Sequence, residues 1–313
     1  GRGCAGDVAK ELIKLQKDGI QALILDLRFN GGGSLTEATD LAGIFIDGGS
    51  LWISRNSANE RFTIKDPNRG SAYAGPMMVL VNGASASASE FLCSALQDHR
   101  RAIIVGSTTF GKATSQAFYP IDPRATDPNG FVKITSHKYY RLQGNSHQFT
   151  GVQPDIVLPD PWARFIEGEG TLPWAIQPDT VLKKTYYTPL QLPDLGALQR
   201  QSTARCAQNA AFKELDEIAG QLKALLEAQK SLALNGAAWF GWEEQRRKLL
   251  SKLDELEKER PDAAFTLHSS QFDAAFLQVD EYSRNLKEEM MQTLRKDLQL
   301  GECLHIIEDV LHP

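Results

Sequence analysis

The sequence predicts an α/β core followed by a mostly α-helical C-terminal domain, and three observations carry that prediction. Two short unbroken apolar runs, Ala22–Leu27 and Met77–Asn82, have the length and composition of strands in a covered sheet; each leads through small residues into a helical pattern. From about residue 205 to residue 300 the apolar residues instead recur every three or four positions, the spacing of amphipathic helices. A stretch rich in Pro and aromatic residues, 161–195, separates the two patterns and reads as a linker or a wrapped surface segment. The boundary is therefore placed at Asp160, with a core over 1–160 and a helical domain over 161–313.

Taken in order, residues 7–18 put Val8, Leu12 and Leu15 on one helical face, with Gly19 as the stop. Ala22–Leu27 reads as a buried central strand, Gly31 to Gly33 as a turn, and 34–46 as a helix. The same logic repeats: a strand at 77–82, a small-residue turn at 83–87, a helix over 90–100 and a strand at 102–105. Short strands and turns fill 112–158. In the helical half, three stripes are expected to form a bundle core. They are Leu215, Ile218, Leu222 and Leu225; then Leu249, Leu253 and Leu256 up to Pro261; then Phe272, Phe276, Val279, Leu286, Leu294 and Leu298.

Composition narrows the function classes. With 313 residues, 42% hydrophobic and 23% charged, the chain can bury a core. A net charge of −5 speaks against a general nucleic-acid or polybasic membrane binder. No apolar run approaches the ~20 residues of a membrane span, and nothing at the N-terminus resembles a signal peptide. The four cysteines are scattered without a CxxC pair and are expected as small buried residues. No HExxH or paired His/Cys spacing implies a metal, and no cofactor is expected.

The chemistry concentrates in three places: the glycine triplet, the cluster Ser85-Ala86-Ser87-Ala88-Ser89, and Phe110-Gly111-Lys112. Two glycine- and serine-rich junctions from strand to helix point backbone N–H groups outward, as a developing oxyanion requires. The serine cluster does not fit the nucleophile elbow, because Ser87 stands where that motif needs Gly. A serine there needs a base. His99 lies twelve residues beyond Ser87 on one helix, ~18 Å along its axis, and is out of range. His137 and His147 stay open, without an acidic orienter beside them in sequence, and Lys112 is the other option, since a desolvated amine can act as a base. Gly106–Lys112 also matches the start of a phosphate-binding loop, with Asp26 as a conceivable metal-holding carboxylate. That reading fails because Ala113 occupies the magnesium-ligand position and no long helix follows.

Taken together, Leu25-Asp26-Leu27-Arg28-Phe29-Asn30-Gly31-Gly32-Gly33, Ser85 to Glu90, and Thr109-Phe110-Gly111-Lys112 with Gln116 closely resemble the carboxyl-terminal processing peptidases, or tail-specific proteases. The resemblance covers roughly 1–160 and includes the Gly151-Val152-Gln153-Pro154-Asp155-Ile156 ending; the region after Trp174 resembles their helical extension. It implies a crotonase-like protease core and a serine endopeptidase with Ser87 as nucleophile, Lys112 as base twenty-five residues on, and Gln116 orienting the amine. Gly33 and Ala88 are implied as oxyanion donors, and Asp98 as a supporting residue. It also implies protein or peptide substrates selected by their C-termini, a bacterial periplasmic or cell-envelope location, and room for an adaptor protein or an oligomer. Ala113 departs from the glycine most members carry after the lysine. The sequence shows no PDZ module, the family's usual reader of substrate C-termini, and it lacks the early strands of the domain, so the chain is expected to begin inside the protease domain of a larger exported protein. The alternative is an inactive or adaptor-dependent scaffold that binds a partner protein through its helical domain.

Overall fold

The computed structural model describes residues 3–124, 130–182, 185–228, 235–260 and 265–312. Pro261, expected to break a helix, lies outside them. Helix α1 (Cys4–Lys17) buries Leu12 and stops before Gly19, which takes a positive φ of 79°. Strand β1 (Leu23–Asp26) leads through the glycine triplet to helix α2 (Leu35–Phe45), capped by Ser34 Oγ accepting from Glu37 N at 3.3 Å. Strands β2 (Gly49–Asn56) and β3 (Arg61–Asp66) form a hairpin where the sequence predicts no element. Then come β4 (Met77–Val81), α3 (Ala88–Asp98), β5 (Ile103–Gly106), β6 (Thr114–Pro120), β7 (Phe131–Tyr140) and the short β8 (Ile156–Val157). The C-terminal half folds as α4 (Leu195–Gln208), α5 (Ala210–Glu227), α6 (Gly236–Glu259), α7 (Gln271–Leu277), α8 (Glu281–Arg295) and α9 (Leu298–Leu311).

Among the described residues the strands form a parallel sheet ordered β1-β4-β5-β8 and an antiparallel sheet ordered β3-β2-β7-β6. The expected central strand at Ala22–Leu27 is in fact the edge strand β1 and is only half-buried. Its short apolar run reports that both faces are partly covered, which an edge strand in a layered fold shares with a central one. The fully buried positions belong to the two central strands β4 and β5, every residue of which is buried.

Alternation along β4 explains how the two halves of the chain join. Met77, Val79 and Val81 face a core built with Leu12, Ala42, Phe45, Phe91 and Leu92 of α1–α3. Met78 and Leu80, with Ile103, Val105 and Ile156, face the other way, against Leu198, Cys206, Phe212, Cys303 and Ile306 of α4, α5 and α9. Burying each such aliphatic side chain contributes about 1.5–3 kcal/mol, so the helical half stabilises the parallel sheet directly. A smaller cluster of Ile218, Leu222 and Leu253 joins α5 to α6, with Phe165 packed against it.

The third stripe departs from expectation. Phe272, Phe276, Val279 and Leu286 are 57–82% exposed, and neither α7 nor α8 has a buried residue. Periodicity shows that a helix has an apolar face; it does not show that another element covers that face. Leu298 does pack into the core beneath the sheet. The segment 161–182 is laid over the core: two 3-10 turns, Pro161–Arg164 and Glu169–Thr171, are followed by Asp179, whose carboxylate accepts from Tyr140 Oη at 2.7 Å and pairs with Arg55 and Lys138. Cys93, Cys206 and Cys303 are buried as expected, but Cys4 is exposed on the first turn of α1. No helix among the described residues is long and apolar enough to cross a membrane.

Candidate active site

The three motifs meet at the C-terminal ends of β1, β4 and β5. Ser85 is fully buried and joins two of them: its Oγ donates to Leu27 O at 2.7 Å and accepts from Asn82 N at 3.0 Å. Asn30 ties the glycine triplet to the serine turn. Its carbonyl accepts from Ala86 N at 3.0 Å, and its side-chain oxygen accepts from Ser89 Oγ at 2.8 Å and Gly32 N at 3.0 Å. The contact is close enough to require glycine: at Gly32, φ 84°, an added Cβ would stand 2.5 Å from Ala86 O and 2.6 Å from Ala88 N.

Ser87 is the residue this turn presents. It caps α3 with φ 58° and ψ −117°, a conformation rare for a side-chain-bearing residue and held by its surroundings. It is half-buried, and the positive end of the α3 dipole lies behind it. The N–H groups of Ala88 and Gly33 have no hydrogen-bond acceptor among the described residues, and Gly33 is exposed.

Glu90, with no exposed surface, joins the Ser87 turn to the Lys112 loop. One carboxylate oxygen, Oε2, accepts from Ser87 N at 2.8 Å and from Lys112 N at 2.9 Å. The other accepts from Gly111 N at 2.7 Å and Thr109 Oγ1 at 2.6 Å. Burial pushes this carboxyl up to about 7, against the lowering effect of these four donors. The loop is clamped from its far side as well. Ala113 N donates to Gln148 Oε1 at 2.7 Å, Phe149 N donates to Gly111 O at 2.8 Å, and Gly111, φ 92°, has no room for a Cβ against Phe149. Lys112 is half-buried, and among the described residues no carboxylate forms an ion pair with its Nζ.

The other sequence candidates sort by position. Gln116 lies on β6, where its Nε2 donates to Thr114 Oγ1 at 3.2 Å and Thr135 Oγ1 at 3.3 Å; among the described residues no hydrogen bond joins it to Lys112. Asp98 ends α3, far from Ser87. Its carboxylate is buried, pairs with Arg141, and accepts from Leu142 N at 3.1 Å. His99 sits beside it with Nε2 2.8 Å from Ser50 O. His147 is buried against the Phe91 ring at 5.3 Å, and burial lowers it to about 3, so it is neutral at pH 7. His137 is half-buried on β7, with Nδ1 3.0 Å from Ser136 Oγ. Asp26 is bonded to Arg28, which also reaches Asp297 at the start of α9, and the loop ending at Lys112 opens into β6 rather than a helix. Among the described residues no group of His, Cys, Asp and Glu is arranged to hold a metal ion.

Residues 3–158 match the model of peptidase family S41, and residues 167–312 match the model of the C-terminal domain of tail specific protease. The chain belongs to peptidase family S41. It is 42% identical over 164 residues to the tail-specific protease of Haemophilus influenzae, an alignment covering 50% of this chain and 23% of that protein. To the carboxy-terminal-processing protease of Bartonella bacilliformis it is 38% identical over 149 residues, covering 47% of this chain and 33% of the relative. It thus spans about a quarter to a third of the length of these relatives. Among solved structures it is similar to the photosystem II D1 C-terminal processing protease, with 33% identity and a TM-score of 0.43, covering 49% of this chain and 39% of that one.

For this S41 chain, sequence reasoning passed over Glu90. The motif contained it without a role. The signal was present in the Ser87-x-x-Glu90 spacing, since a glutamate three residues after an N-cap serine reaches back to that residue's N–H. Its further reach to the Lys112 loop is long-range and has no local signature.

Proposed function

We propose that the chain is the catalytic part of a serine endopeptidase that uses Ser87 and Lys112 as a dyad. Ser87 Oγ attacks the scissile carbonyl while Lys112 Nζ takes the hydroxyl proton; the ammonium then protonates the departing amine. Water, deprotonated by the same amine, attacks the acyl-enzyme ester; the ammonium returns that proton to Ser87 Oγ as it leaves, which releases the new C-terminus and restores the dyad. The N–H groups of Ala88 and Gly33 receive the oxyanion, each such donor being worth about 3–4 kcal/mol in the barrier. No carboxylate among the described residues competes for the Lys112 proton through an ion pair. Gln116, whose Nε2 is held by Thr114 and Thr135, is assigned the role of orienting the amine through its amide oxygen. Asp98, bonded to Arg141 and Leu142 N, supports α3 rather than touching substrate.

The observation that carries this reading is the shared oxygen of Glu90, which brings to one point the backbone of a strained, half-buried serine and that of a lysine with no ion-pair partner among the described residues. Selection of substrates by their C-termini follows the names of the Haemophilus and Bartonella relatives, and a cell-envelope location follows the tail-specific protease resemblance. The test is hydrolysis of an unfolded protein by the chain, followed by mass spectrometry of the products. New C-termini that vanish with Ser87→Ala and with Lys112→Ala are expected. Equal cleavage by either variant overturns the dyad, and a folded wild-type chain that cleaves nothing favours a scaffold.

A further inference from the structure

The region that matches the S41 model ends at residue 158, yet the Ser87 turn and the Lys112 loop are also held by residues that follow it. Ile166 packs on the serine turn: a Cβ built on Gly83 would meet its side chain at 3.3 Å. Glu169 N donates to Phe110 O at 2.9 Å, two residues before Lys112. Gly168 lies so close to that carbonyl that its own Cβ would stand 2.9 Å from the oxygen. Phe110 in turn donates its N–H to Ser85 O at 3.0 Å, so one residue links the segment to both turns.

The other end of the segment is anchored in the helices. Phe165 packs on the Ile218, Leu222 and Leu253 cluster of α5 and α6. Arg164 pairs with Asp216 on α5 and lies against Gly220 one turn further along. A shift of α5 and α6 relative to the sheet therefore moves Phe165, and with it the neighbouring contacts on Gly83 and Phe110.

From these contacts we infer that Ile166 and Gly168 are positioning residues, through which the helical half sets the relative placement of the Ser87 turn and the Lys112 loop. The inference rests on the dyad reading above. Both act through the backbone they contact, at Gly83 and Phe110. Ile166 fixes the height of the serine turn, and Gly168 permits the Glu169–Phe110 hydrogen bond that fixes the lysine loop. Displacement of a reacting group by about 1 Å costs up to a hundredfold in rate, so the expected signature is a fall in kcat with KM unchanged.

The experiment measures peptide hydrolysis, thermal midpoint and fluorophosphonate labelling for the wild-type chain, Ile166→Ala, Ile166→Val and Gly168→Ala. Expected are a kcat about 10- to 100-fold lower for Ile166→Ala and Gly168→Ala, unchanged KM, and near wild-type kcat for Ile166→Val. Wild-type kcat and labelling in both Ile166→Ala and Gly168→Ala overturn the inference. So does a loss of kcat that only follows a loss of fold and is equally severe in Ile166→Val. A wild-type chain that neither labels nor cleaves contradicts the dyad itself, which keeps the two failures apart.

Discussion

Replacing Glu90 by Gln separates what this carboxylate costs the fold from what it supplies to the site. In the folded chain the carboxyl is pushed up to about 7 by burial, from an ordinary value of 4.5. Below the ordinary value both folded and unfolded states hold the proton, and the group makes no difference to stability. As the pH rises through the window from 4.5 to 7, the unfolded chain releases the proton while the folded chain keeps it, so stability falls. Above 7 the loss is complete, and the shift corresponds to about 3 kcal/mol. The neutral amide introduced by Glu90→Gln cannot ionise and escapes this loss. It also places an N–H₂ group where two donors already point, at a cost of about 1–3 kcal/mol. Between pH 5 and pH 8 the wild type should therefore lose about 2–3 kcal/mol more stability than Glu90→Gln in urea unfolding. Activity should move the other way. The ionised carboxylate accepts Ser87 N–H and Lys112 N–H on one oxygen, so wild-type kcat/KM gains a rise through pH 7 that the variant lacks, and the variant's kcat is about 10- to 100-fold lower. Parallel stability profiles for the two proteins, or full activity in the variant, would refute this account of Glu90.

Gly32→Ala should abolish activity and destabilise the chain by more than about 1 kcal/mol, because its Cβ meets Ala86 O at 2.5 Å; urea unfolding with a peptidase assay measures both. Asp98→Asn leaves Arg141 without its buried partner and should lower stability by about 3 kcal/mol, while kcat per folded molecule at low temperature stays within a few-fold of wild type. Ile306→Ala, in the last helix and far along the sequence from every candidate-site motif, should cost about 2–5 kcal/mol and lower the unfolding midpoint of the parallel sheet itself. Separate unfolding of the two halves, by intrinsic fluorescence and by hydrogen exchange of β4 amides, would contradict the shared core.

Much of this fold is legible because local rules agree with the tertiary outcome. Met77–Val81 is apolar on both faces and becomes the fully buried β4; Ser34 caps α2 where the helical pattern starts. What the sequence conceals depends on distant partners. Gly49–Asn56 forms a strand because β7 and β3 flank it, and no turn motif announces that pairing. Phe272, Phe276 and Val279 carry the same helical spacing as Ile218 and Leu222, yet the first set is exposed and the second buried. The site shows the same division. Ser87 and Lys112 stand out through motif chemistry, whereas the pairing of Asp98 with Arg141 has no local signature. The joints at Asn30, Ser85 and Glu90 are long-range hydrogen bonds, visible only once β1, β4 and β5 are side by side.

The most direct test is whether one serine is chemically activated by one lysine. A fluorophosphonate should modify the folded chain once, with the adduct mapped by peptide sequencing to Ser87, and the rate should collapse in Lys112→Ala while the fold persists. Modification at another residue, or an undiminished rate at Ser87 without the lysine amine, would show that the two groups do not work as a pair.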